Sequence, residues 1–176
     1  RQARAPGGGA GVAGAAARAS PAAPACIGRA TNPLDSPEVN RLPDRAFGAL
    51  DTVRVQLDAL AQNDAPFRDH GVKTMYTFCA GAGMLELHEY FGFKKDLYHE
   101  EHFYGYFKSN FAGLIGHRGY TIDSSEEHRE ESSGSAYWVV KVSVVPSGGG
   151  GALRLVFVVD NGRRGVFLTE RLIKAK

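Results

Sequence analysis

The stretch HEEHFYGYFKSNFAGLIGH, residues 99–117, brings histidines and carboxylates together with a dense run of aromatic rings. Imidazole and carboxylate are the donors of zinc sites and the usual general acids and bases. A zinc-protease helix places two His four residues apart, with Glu directly after the first. His99 and His102 are only three apart, and Glu100 and Glu101 fill the gap between them. His88-Glu89 meets Gly92 where the second His would stand. Residues three apart share a helix face, so a metal centre here would need His117 to complete it from outside the helix. The rings give a simpler reading. Phe103, Tyr106, Phe107, Phe111 and Leu114 recur at helical spacing and form an apolar stripe. That leaves the HEEH turn facing water, where Glu100 and Glu101 complement the positive end of a helix. Neither metal nor cofactor is expected.

Other chemistry is thinner. A proton-transfer enzyme would need a pocket carboxylate as base, with a Tyr or protonated acid beside it. Asp58 lies off the apolar stripe of its helix and is expected to face solvent. The strand region offers Lys141, Arg154, Asp160, Glu170 and Arg171, with no acid expected inside an alternating apolar face. His70, Tyr76, His117 and Trp138 are the candidates to line an internal ligand pocket, and each also reads as a core or rim residue. Cys79, between Phe78 and Ala80, reads as a small core residue. Cys26 and Cys79 make neither a disulfide framework nor a metal spacing, which suits a reducing compartment. PSGGGG, residues 146–151, has no Lys-Ser/Thr and no helix after it, so it is not a phosphate loop. The run DSSEEHREESSGS, residues 123–135, reads as an acidic loop. Its Glu126, Glu127, Glu130 and Glu131, with Tyr137 beyond them, are candidates for docking a basic partner.

The elements that must position these groups change character along the chain. Residues 1–43 are a low-complexity tail of Ala, Gly, Pro and Arg, with no acid before Asp35. Acid-poor, Arg-bearing composition of this kind is that of an organellar transit peptide. The tail suggests a chloroplast protein, stromal or thylakoid-associated, with the mitochondrion as the second choice. Because the first residue is Arg, a cleaved or partial start is expected. Four of the 21 basic residues lie before Asp35, leaving 17 against all 19 acids. The body is therefore slightly acidic, which argues against a nucleic-acid surface. No apolar window is long enough for a membrane span.

Residues 44–176 read as one domain. Phe47, Leu50, Val53, Leu57 and Leu60 predict a first helix from Asp44, its expected N-cap. DHGVKTMYTFCA predicts a second, capped by Asp69. GMLELHEYFGF is either a short helix or a loop with aromatic anchors, and the opening stretch is a third helix, with Asp96 as cap. LIGHRGYTI, AYWVVKVSVV, ALRLVFVVD and GVFLTERLI then alternate as strands. Asn161-Gly162 signals a tight hairpin. Helices followed by an antiparallel meander give an α+β domain with helices packed on one face of a curved sheet.

Gln56, Leu57, Asp58, Ala59 and Leu60, then His102, Phe103, Phe107 and Leu114, stand in a pattern that resembles the nuclear transport factor two-like, cystatin-like cone superfamily. It resembles most the small plant and bacterial domains of unknown function within it, over roughly residues 44–173. The resemblance implies a conical space between helices and sheet, and it implies no particular reaction. The expected function is a non-catalytic binding or assembly module. It would hold a hydrophobic small molecule in the cone, or dock a protein partner or a second copy through the sheet. The second face of the sheet, with Tyr137, Val139, Val145, Val156 and Val158, is too apolar for a fully solvated one. The alternatives are an isomerase- or dehydratase-type enzyme and an accessory subunit of a large chloroplast complex.

Overall fold

A computed structural model describes residues 42–131, 133–161 and 165–175. The tail and the Asn161-Gly162 turn fall on or run into residues outside this range. Three helices come first: α1 (Ala49–Ala61), α2 (His70–Thr77) and α3 (Glu100–Asn110), the last followed by a single 3₁₀ turn at Ala112–Leu114. Four strands follow: β1 (Gly119–Arg129), β2 (Ala136–Val145), β3 (Leu153–Asn161) and β4 (Phe167–Lys174). They pair in chain order as one antiparallel sheet. The predicted α+β architecture, with helices on one face of the meander, is the observed one.

Strand alternation sorts the sheet into two faces. Val140, Val142 and Val144 of β2, and Leu155, Phe157 and Val159 of β3, are buried toward the helices. They meet Val53, Leu57 and Leu60 of α1, Val72 and Met75 of α2, and Phe103 and Phe107 of α3. The rings of α3 stack along one line, Phe103 on Phe107 at 5.7 Å and Phe107 on Phe111 at 5.4 Å. Phe91 closes against both ends of that line. The stretch that opened the sequence reading is a helix anchored by its rings.

Local details depart from the sequence reading for identifiable reasons. The first helix begins at Ala49, five residues past Asp44. Asp44 instead closes a preceding turn, accepting from the Ala46 amide at 2.8 Å, while Asp51 reaches back to the Gly48 amide. Asp69 does occupy the N-cap of α2, but with φ at 63°. Its carboxylate turns away to Lys108 at 2.6 Å, which holds it below the usual carboxylate range. His99, and not Asp96, precedes α3 as its N-cap; Asp96 accepts from the Tyr98 amide. Of the two readings of GMLELHEYFGF the loop is correct, and its anchors Tyr90 and Phe91 are buried. The first strand starts only at Gly119, after the 3₁₀ turn. It then continues through half of the expected acidic loop, to Arg129.

Two close contacts fix the layers. Gly71 lets α2 touch α1, because a Cβ there would stand 2.5 Å from the Ala59 carbonyl oxygen. The edge of β4 is sealed by the segment between α2 and α3. Thr169 N–H donates to Phe78 O at 2.8 Å, Ala80 N–H to Thr169 O at 3.0 Å, and Leu172 N–H to Tyr90 O at 2.7 Å.

Candidate functional site

A ligand-sized hollow between helices and sheet would leave its walls accessible to water. Val53, Leu57, Leu60, Val72, Met75, Phe103, Phe107, Val140, Val142 and Phe157 are each 0% exposed. Around these residues, side chains pack the space between helices and sheet without water-accessible surface. Two of its polar members, Gln56 and Thr169, satisfy one another. Gln56 donates to Thr169 Oγ1 at 2.8 Å and to the Thr52 carbonyl at 2.9 Å, and Thr169 Oγ1 returns a bond to Gln56 Oε1 at 3.2 Å. Gln56 and Thr169 thus lock α1 to β4 at one register. A buried polar pair of this kind specifies a single packing.

The pocket candidates serve separate local roles. His70 opens α2 with its ring edge-on to Phe67 at 5.0 Å. Both its nitrogens are buried without a partner, and burial lowers its pKa. His117 donates from Nε2 to the Leu57 carbonyl at 2.9 Å, near the C-terminus of α1. Burial lowers its pKa, with the bond to Leu57 acting in the other direction. Tyr76 Oη bonds the Leu97 carbonyl at 2.9 Å and accepts from the Gly83 amide at 3.1 Å, pinning the loop before α3. Burial raises its pKa. Trp138 sits edge-on to Phe167 at 5.0 Å. It lies six positions along β2 from Val144, which pairs with Tyr120 just after His117. At a strand's rise that is about 20 Å, so Trp138 and His117 occupy opposite ends of the sheet.

The imidazoles of the opening stretch do not converge either. His99 and His102 rings are 5.5 Å apart and edge-on. His102 pairs with Asp96 at 3.1 Å, and His117 is committed to α1. Among the described residues no three His, Cys, Asp or Glu form a group that could hold a metal. Burial pushes the Cys79 thiol up to about 12, which makes it unreactive near neutral pH. Asp58, expected in solvent, is half-buried and accepts from Tyr120 Oη at 3.0 Å.

The unusual titrating group is on the other face. Val156, Val158 and Asp160 are successive positions of β3 that point away from the helices, so an acid does end an apolar alternating row. Burial pushes the Asp160 carboxyl up to about 6, and the Glu170 carboxylate that faces it adds to the rise. Glu170 also meets His88 Nε2 at 3.0 Å. Sequence reasoning missed this cluster because it joins β3, β4 and a loop through a bulge after Val158. The visible signal was Asp160 at the end of the Val156, Val158 alternation. Asp160 can exchange a proton near neutral pH beside a histidine, but the cluster lies outside the helix–sheet interior.

The rest of this outer face is ordered in rows. One row across the sheet reads Glu126, Val139, Val158, Arg171; the next reads Ser124, Lys141, Val156, Ile173. A third reads His128, Tyr137, Asp160, Leu168, with the His128 and Tyr137 rings stacked at 5.4 Å. The valines are half-buried, no described helix or strand lies over them, and Ile173 is 36% exposed. Of the proposed docking acids, Glu126 and Glu127 lie on β1, and Glu130 and Glu131 in the turn that follows; all four are exposed. Tyr137, second residue of β2, lies on the outer face. No described helix is long and apolar enough to cross a membrane. Compared with protein-family models, with characterised proteins and with solved structures, the chain matches none at a significant level.

Proposed function

We propose that this protein is a non-catalytic assembly module that docks through the outer face of its sheet, with a second copy of the chain as occupant. The observation that carries the reading is the row Glu126, Val139, Val158, Arg171. A two-fold interface must be self-complementary. An axis running along the strands, between β2 and β3, lays the Val139 side of one copy on the Val158 side of the other. The same operation sets Glu126 over Arg171, and in the third row Tyr137 over Asp160. Half-buried valines flanked by opposite charges give an apolar centre with a polar rim, the usual anatomy of an interface. The filled space between helices and sheet favours this surface over an internal ligand pocket. The resemblance to the nuclear transport factor two-like cone fold, and an organellar location suggested by the tail, belong to the same reading.

Sedimentation velocity of the full chain across a range of concentrations tests it. The wild type is expected to dimerise and Val158→Asp to remain monomeric with an unchanged circular dichroism spectrum. A wild type that stays monomeric throughout overturns the reading. So does a Val158→Asp variant that dimerises as strongly as the wild type.

A further inference from the structure

The two edges of the sheet are treated differently. The β4 edge is covered by the Phe78–Ala80 backbone and by Tyr90. β1 is the other terminal strand; among the described residues it pairs with β2 alone, and no backbone hydrogen bond reaches its outer side. Past the bulge that follows Ile122, Ser124–Arg129 run on in regular register with β2. An edge of this length presents a row of unpaired N–H and C=O groups. Protective Pro or Lys is missing from β1, residues 119–129. What it carries is acid on both faces, Glu126 outward and Glu127 inward, with Glu130 and Glu131 just beyond. Lys141 is 3.8 Å from Glu126, and Arg129 is 3.9 Å from Glu127; these are loose, exposed pairs that bind the acids weakly.

We infer that the open β1 edge, over Ser124–Arg129, accepts an extended basic peptide segment as an added fifth strand. Strand addition draws affinity from main-chain hydrogen bonds and selectivity from the side chains beside them. Directly opposed side chains across a strand pair lie about 5 Å apart, close enough for opposite charges to attract and like charges to repel. Acids on both faces therefore reject a second β1, which would bring the same acids face to face. They select Lys or Arg on either face of an incoming strand. The edge shares Ser124, Glu126 and His128 with the outer-face rows, but strand addition would use its main-chain groups and Glu127 and not the valines, so the inference does not require dimerisation there.

The test uses the full chain and a fluorescent peptide of about six residues, the length of a typical strand, alternating Lys and Val. Anisotropy gives Kd, and amide hydrogen exchange reads the Ser124–Arg129 backbone. Binding is expected to slow exchange in that segment. It should weaken at least tenfold in the Glu127→Lys, Glu131→Lys double variant, which leaves the valine rows intact. An alternating Glu and Val peptide should not bind, and methylating alternate peptide nitrogens along the pairing side should abolish binding while keeping the charge. Equal binding of the N-methylated peptide would reduce the effect to non-specific charge attraction and overturn strand addition. Absence of binding, or an acidic peptide binding as well as the basic one, overturns the inference. Protection of Ser124–Arg129 that rises with protein concentration alone would assign the edge to self-pairing and overturn it as well.

Discussion

Val139 and Val140 are neighbours in the chain and opposites in setting. Val140 is 0% exposed among the rings and leucines of the helices, while Val139 lies on the outer face, half-buried between Glu126 of β1 and Val158 of β3. The inner face is closed by apolar contact and by the Gln56–Thr169 pair. The outer face combines valines with charges arranged in rows, and it holds Asp160, whose carboxyl is pushed up to about 6. Residues of the same type thus have different settings: the inner valine maintains the fold, and the outer one is the residue we propose for association. The comparison teaches that the face which looks less like a core is the better place to look for function.

The sharpest way to break this contrast is to put the same charge on each side. Val140→Asp buries an unpaired carboxylate and is expected to cost about 4 kcal/mol or more, leaving little folded protein. Val139→Asp should cost less than about 1 kcal/mol. Thermal melts of the two variants, compared at low protein concentration, separate them; equal losses would erase the distinction between the faces.

The inner polar pair gives the next largest effect. Gln56→Leu alone strands the buried Thr169 hydroxyl and should cost about 2 kcal/mol. The double variant Gln56→Leu, Thr169→Val should recover part of that loss, because no polar group is then left unmatched. Urea unfolding of the four species gives the coupling directly. If the two single losses simply add, the pair does not act as a unit.

On the outer face the sign reverses. The folded pKa of Asp160, about 6, lies above its ordinary 3.8. The fold therefore binds this proton more tightly than the unfolded chain, and ionising Asp160 costs stability as pH rises through 6. Asp160→Asn should raise stability at pH 7 by about 1 kcal/mol after allowance for partial exposure. The gain should vanish near pH 3.5, where both forms of the chain are protonated. Melts at the two pH values check it, and destabilisation at pH 7 would show the carboxylate to be held by a favourable partner.

The smallest effect belongs to the residues that first suggested chemistry. His102 is exposed and pairs with Asp96 at the surface. His102→Ala should change stability by less than about 0.5 kcal/mol. A loss above about 2 kcal/mol in a melt would mean that the HEEH turn does more than face water.

Much of the fold was legible because it rests on repeated patterns. Phe103, Phe107 and Phe111 announce their own helix face, and the alternation in β2 and β3 yields both faces of the sheet. Helix starts were less legible, since Asp44 and Asp69 hold the right residue type but spend their carboxylates on a turn and on Lys108. The reach of β1 was hidden because its outer half is polar on both sides, Ser125 and Glu127 inward, Ser124 and Glu126 outward. No local apolar period marks such a strand; its partner β2 does. The pocket candidates were read from residue type alone, and type does not reveal that His117 ends on a helix carbonyl. The Asp160 cluster depends on a bulge and a loop meeting in space, which a linear pattern does not carry.

The most direct measurement is methyl NMR of the full chain on dilution. The account predicts that resonances of Val139, Val156 and Val158 shift as the protein dissociates, while those of Val140, Val142 and Leu57 hold still. Dilution shifts centred on the inner set, or none on the outer set, would contradict it.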